Sequence, residues 1–115
     1  MPRRGLIVRR GVVSLDGQRV GVIEETESGS RFTYDAEWVA RQGAVPVSLT
    51  LAVRREPYES NGLLPFFWNL LPEGWLLEIA VSKLKIARED AFGLLLATCA
   101  DNIGAVAVLP IETAP

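Results

Sequence analysis

Histidine is missing from this sequence altogether, and cysteine and methionine occur once each. Without histidine, the usual serine and cysteine triads and His-built zinc sites are not available. A lone cysteine, Cys99, forms neither an internal disulfide nor a thiolate metal site, and it is compatible with a reducing compartment. Its place in the apolar run GLLLATC reads as a buried, inert thiol. There is no GxxxxGK[ST] phosphate loop and no GxGxxG fingerprint. The kinase catalytic loop and its metal-binding Asp motif are also missing. Neither sign of charge dominates: 12 Lys and Arg stand against 14 Asp and Glu, a net −2. Bulk electrostatics therefore favour neither nucleic acid nor an anionic membrane. No apolar run approaches the roughly 18–20 residues of a membrane span. The basic start is followed by alternating residues rather than the apolar core of a signal peptide. These absences argue against catalysis by this chain alone, and they lead us to expect a cytoplasmic protein.

What is present suits one folded domain over residues 1–115. Hydrophobic residues make up 49% and charged residues 23%, which supports a modest core without staples. Arg3, Arg4, Arg9 and Arg10 make the start basic, and Glu24, Glu25 and Glu27 form an acidic run; both read as solvated surface.

The first half reads as strands and turns. Residues 6–25 form a hairpin around Asp16-Gly17, because Gly readily takes the positive φ of a two-residue turn. Gly21 marks a bulge or a close backbone approach. Glu24 to Ser30 is a polar loop, and Arg31 to Asp35 is a third strand with Phe32 and Tyr34 on one face. Asp35 is placed to cap a short helix over Ala36 to Gln42 that buries Trp38, and Gly43 ends it. Val47, Leu49, Leu51 and Val53 alternate as a fourth strand. Arg54 to Asn61 reads as a surface loop.

The chain turns on Gly62 to Glu78, GLLPFFWNLLPEGWLLE. Phe66, Phe67, Leu70 and Leu71 lie at helical spacings of three and four, so one turn of helix can pack them on a core. Trp68 falls off that stripe. Two placements stand for it: an anchor in a partner's pocket, or packing on the loop Arg54 to Asn61. Pro72 starts a helix over Glu73 to Lys85. Glu73 and Glu78 sit too far apart around it for a carboxylate pair and read as dipole complement and solvated face. A second helix, Arg88 to Ala100, has Glu89 and Asp90 in its first turn and buries Phe92, Leu95, Leu96 and Cys99. Ala105 to Leu109 is a last strand, and Pro110 onward a tail. The fold class expected is α+β: a small, curved, mainly antiparallel and barrel-like sheet, with the C-terminal helices packed at one end.

Two segments together, FFWNLLPEGWLLEIAVSKL and AREDAFGLLLATCADNIGAVAVLP, resemble the N-terminal subdomain of HipA-type serine/threonine kinase toxins. The pattern rests on Phe66-Phe67, Asn69 to Glu73, Asp90 to Leu95, and Asp101 with Gly104-Ala105-Val106. Gly17 to Gly21 and Tyr34 with Trp38 also fit. A kinase of that type continues into ATP-binding and catalytic parts, whereas this sequence stops at Pro115. The resemblance then implies the stand-alone, HipS-type antitoxin of split bacterial toxin–antitoxin systems. Its implied partners are a separate HipA-like kinase toxin (HipT) and a helix-turn-helix protein (HipB). No cofactor, metal or catalytic residue is implied.

Trp68 departs from the kinase-fused form, where a polar residue is expected at that place. Tryptophan is the residue type most enriched in interface hot spots. The expected contact residues are Phe67, Trp68, Asn69, Glu73 and Trp75, with Trp68 foremost. The competing expectation is an accessory subdomain that completes and activates a split kinase. A DNA-binding subunit is disfavoured by the acidic pI of about 5.1 and the lack of a helix-turn-helix pattern.

Overall fold

The hairpin at the start of the chain sets the sheet. In a computed structural model, which describes residues 9–71, 78, 81–83, 85–87, 89–99 and 106–111, β1 (Arg10–Leu15) turns directly into β2 (Gln18–Glu25). Asp16 and Gly17 both have positive φ, 52° and 83°, as a two-residue turn between twisted strands requires. The ladder pairs Val13 with Gly21 and then Ser14 with Arg19, so Val20 is an extra residue on β2. This bulge rephases the strand. It lets Val20 and Ile23, an odd spacing apart, both reach the core.

Gly21 sits where β2 and β3 (Gly29–Tyr34) close together. A Cβ there would lie 2.5 Å from the Thr33 carbonyl oxygen and 2.9 Å from the Phe32 ring. On β3 the side chains of Ser30, Phe32 and Tyr34 alternate inward, the period of a half-buried strand. The sheet order is β4-β3-β2-β1-β5, antiparallel throughout. Among the described residues it is open rather than barrel-like, with β4 and β5 at its two ends. Among the described residues no helix is long and apolar enough to cross a membrane.

Two segments exchange the roles expected of them. Val47 to Val53 is no strand but an irregular loop, while β4 (Tyr58–Asn61) lies in the stretch expected to be surface loop. The ladder place beside β3 is taken by β4, from Phe32↔Tyr58 to Gly29↔Asn61. Val47 and Leu51 are buried, but a turn closed by Leu51 N–H to Ser48 O throws Leu49 outward, 97% exposed. Simple alternation would have put all three on one face. Likewise Pro110 is not tail but part of β5 (Val106–Ile111), opposite Gly11. Among the described residues β5 ends the sheet, and an end strand is where a ladder tolerates a residue with no N–H.

The helices are short. α1 (Ala36–Ala40) buries Trp38, 6% exposed, as expected. Asp35 occupies its N-cap position but does not cap it; its carboxylate accepts from Arg19 Nε at 2.8 Å. α2 (Pro65–Trp68) begins with proline in its first turn. α3 (Ala91–Thr98) is shorter than the expected helix, with Asp90 as its N-cap accepting from Gly93 N–H at 3.1 Å. It packs against β5 and α2. Residues 78 and 81–83 are helical, within the expected second-half helix.

One core joins these parts. Val13, Ile23 and Phe32 from the sheet meet Phe67, Phe92, Leu95 and Cys99 from the helical side. The Phe32 ring lies 4.8 Å from Tyr34 and 5.5 Å from Phe67, and Phe66 adds an edge contact to Phe67 at 5.1 Å. Aromatic clusters of this geometry add to their area burial.

Candidate partner-binding surface

The approach to Trp68 is pinned by one buried serine. Ser30, 1% exposed, donates its hydroxyl to Gly62 O at 2.9 Å and accepts from Leu64 N–H at 3.0 Å. A hydroxyl satisfied on both sides fixes two backbone groups of the incoming chain. Leu64 is buried and Pro65 has a preset φ, so α2 starts from a defined point. Phe67 then fills the core, with no exposed surface. Phe66, Leu70 and Leu71 pack partly buried beside it. The stripe expected from their spacing is therefore present.

With that stripe turned inward, Trp68 points out and is 56% exposed. Its backbone is held on both sides: Trp68 N–H donates to Leu64 O at 2.9 Å, and Leu71 N–H to Trp68 O at 3.2 Å. Of its two expected placements, half-exposure favours an outward ring over one covered by the preceding loop. From Ser60 to Leu71 no residue is charged, so the chain leading into and out of the ring is neutral. A large apolar ring left half in water on an ordered turn gains free energy when a partner covers it, on the order of 25 cal/mol per Å².

The other expected contact residues separate. Asn69 is exposed next to Trp68, its N–H bonded back to Pro65 O at 3.1 Å. Phe67 belongs to the core, so it supports the surface from beneath and does not face a partner. Glu73 and Trp75 lie outside the described residues.

A second cluster ties the sheet to α3. Arg9 donates to Glu25 at 2.9 and 2.7 Å and to Asp90 at 2.9 and 2.8 Å. Its guanidinium also lies 5.5 Å from the centre of the Phe92 ring. The hydrogen bond from Arg9 holds the Asp90 carboxyl below its usual range, and the bonds to Glu25 and Asp90 push Arg9 up. By sequence alone Arg9 is a solvated charge and Ser30 part of a loop. Their partners lie 81 and 34 residues away, which no local pattern signals.

Among the described residues no group of three or more potential ligands gathers for a metal ion. Among the described residues, two clefts are open and polar, one between Thr26 and Ser60 and another between Arg19 and Arg41. Cys99 is buried, its Sγ 3.4 Å from Leu70 O.

An open five-stranded antiparallel sheet, short helices sharing its core, and a pinned, outward tryptophan define, among the described residues, a small α+β domain with an apolar ring on its surface. The family model for the HipA N-terminal domain matches residues 12–109, and the chain belongs to that family. It is 34% identical over 102 residues to an uncharacterized protein of Haemophilus influenzae, across 89% of this chain and 92% of that one. It is 31% identical over 101 residues to a Sinorhizobium fredii protein named "Putative kinase Y4mE". That match spans 87% of this chain but only 24% of the larger protein. Among solved structures, the N-terminal domain of HipA toxin superposes with a TM-score of 0.71 at 31% identity. The superposition covers 97% of this chain and all of the other.

Proposed function

We propose that this protein is the antitoxin of a tripartite toxin–antitoxin system. It binds and neutralises a separately encoded HipA-like serine/threonine kinase toxin (HipT) by protein–protein contact in the cytoplasm, with no chemistry of its own. The observation that carries this reading is the outward Trp68 on a pinned turn in a HipA N-terminal domain. Two likenesses support it. A domain of this kind forms about a quarter of a larger relative whose name is that of a kinase. Another relative, matched over 92% of its own length, is scarcely longer than this domain. Domain and kinase then meet in one chain or across two.

In this reading Trp68 enters a pocket of the kinase near its nucleotide site and blocks it sterically, with Asn69, Glu73 and Trp75 around it. A helix-turn-helix protein (HipB) is the third member of the complex. Truncating a hot-spot tryptophan costs about 2–4 kcal/mol of binding, a loss of roughly 30- to 1,000-fold in affinity.

The test is growth after induction of the cognate kinase, with and without this protein, together with co-purification. Rescue with a stable complex, lost in Trp68→Ala, is the expected result. A complex that is required for toxicity would instead support an accessory subdomain that activates a split kinase. The relative that carries domain and longer chain together gives that second reading its own support.

A further inference from the structure

Ser30 stands at an inward position of β3, in line with Phe32 and Tyr34, where an apolar side chain would suit the core. A buried hydroxyl costs free energy unless it is hydrogen-bonded. Both of its bonds go to the residues that lead into α2: it donates to Gly62 O and accepts from Leu64 N–H. Leu64 passes the hold along, because its own carbonyl accepts the Trp68 N–H at 2.9 Å. The outward ring is thus two hydrogen bonds away from a buried serine inside the sheet.

The turn between β2 and β3 grips the same point from its other side. Gly62 N–H donates to Ser28 O at 3.0 Å. Gly29 pairs with Asn61 in the ladder and forms a bridge to Gly62. The approach is so close that a Cβ on Gly29 would run into Ser60 O and Gly62 N. The turn is itself closed by two bonds of 2.9 Å, Thr26 N–H to Gly29 O and Gly29 N–H to Thr26 Oγ1. Burial of Leu64 and Phe67 also holds α2 to the core, but that attraction has no direction. Hydrogen bonds do have direction, so they set where the ring points.

We propose that Ser30 is a positioning residue for the Trp68 contact. With Gly29 and the Ser28 carbonyl, it holds the entry to α2 in its docking arrangement before the kinase arrives. The inference rests on the antitoxin reading above and deepens it. Ser30 is buried and does not meet the partner; it acts through Leu64 and Trp68. Without its hydroxyl the entry samples other arrangements, and only the fraction that presents the ring correctly can associate. The complex, once formed, keeps the same contacts. The loss therefore falls on association, whereas truncating Trp68 removes contacts and speeds dissociation.

The experiment measures association and dissociation rates with the purified cognate kinase, well below the melting temperature of each variant. Ser30→Ala is expected to associate about three- to tenfold more slowly, with dissociation unchanged. Hydrogen exchange of the free variant should show the Leu64 amide opening faster. Trp68→Ala, run beside it, should dissociate faster. A serine with a merely architectural role would lower the melting temperature and leave both rates of the folded protein alone. Should Ser30→Ala not fold, Thr26→Val takes its place: it loses the bond to Gly29 N–H and is expected to slow association about twofold. If the wild type binds and the variant associates as fast as it does, the positioning role is overturned while the antitoxin reading stands. A loss confined to faster dissociation overturns it as well. So does binding that survives Trp68→Ala unchanged, since Ser30 acts through that ring. If the wild type does not bind the kinase, both readings fail.

Discussion

Replacing Tyr34 by phenylalanine removes one oxygen and changes little else. The ring is 2% exposed and keeps its edge contact with Phe32. Its hydroxyl serves two backbone groups of the Leu49 loop, accepting from Val47 N–H and donating to Leu51 O. Phenylalanine leaves a buried donor and a buried acceptor without partners. Each such group costs about 1–3 kcal/mol when water does not replace the lost bond. The expected loss is therefore about 2–6 kcal/mol, a large part of the stability of a domain this size. At about 4 °C per kcal/mol for a chain of this length, the midpoint falls by about 8–24 °C. Urea melts followed by tryptophan fluorescence measure the free energy, and hydrogen exchange reads the Val47 amide directly. Exchange at Val47 should rise well beyond the global change, because that amide loses its acceptor. A variant within about 0.5 kcal/mol of wild type, with Val47 still protected, would refute the reasoning. Alkali offers a second readout. Burial pushes the Tyr34 phenol above its ordinary value of 10.0. Its contribution is complete below pH 10, where both states are protonated. It is lost as pH rises toward the folded-state value, because the unfolded chain gives up the proton first.

Other outcomes follow from the same contacts. Arg9→Met removes the pairs to Glu25 and Asp90; these groups are about one-third exposed, so the expected loss is discounted to about 1–2 kcal/mol, measured by urea melts. Because Arg9 holds Asp90 below its ordinary 3.8, that part of the stability is present above pH 3.8 and lost as pH falls through the folded value. Acid titration of Arg9→Met should show a shallower decline than the wild type. Gly21→Ala forces β2 from the Thr33 carbonyl and the Phe32 ring and should lower stability by about 1–3 kcal/mol. Gly17→Ala meets open space and bears only the positive-φ penalty of about 1–2 kcal/mol. Trp68→Ala should change the melting temperature by little, since its ring is half in water, and calorimetry against the kinase should register the loss instead.

The features legible in the sequence are those that neighbours along the chain decide. Asp16-Gly17 closes the hairpin because a two-residue turn needs two positive φ values, and that demand is local. Phe67 goes inward and Trp68 outward because successive residues of a helix lie about 100° apart around its axis, which carries Trp68 off the buried stripe. Family membership was readable too, from the order of FF, NLLPE and the later segments. The tertiary structure alone decided which segment pairs with β3. Val47 to Val53 alternates as well as a strand should, yet Tyr58–Asn61 occupies the ladder, and a turn at Ser48 turns Leu49 to solvent. Periodicity describes which face a strand would bury, not whether a neighbouring strand is free to accept its hydrogen bonds. Among the described residues the sheet is open for the same reason, since closure depends on where its end strands come to lie. Ser30 and Arg9 carry no local signal for the roles they take. Their bonds reach across 34 and 81 residues, and such partners meet only once the core has brought the two halves of the chain together.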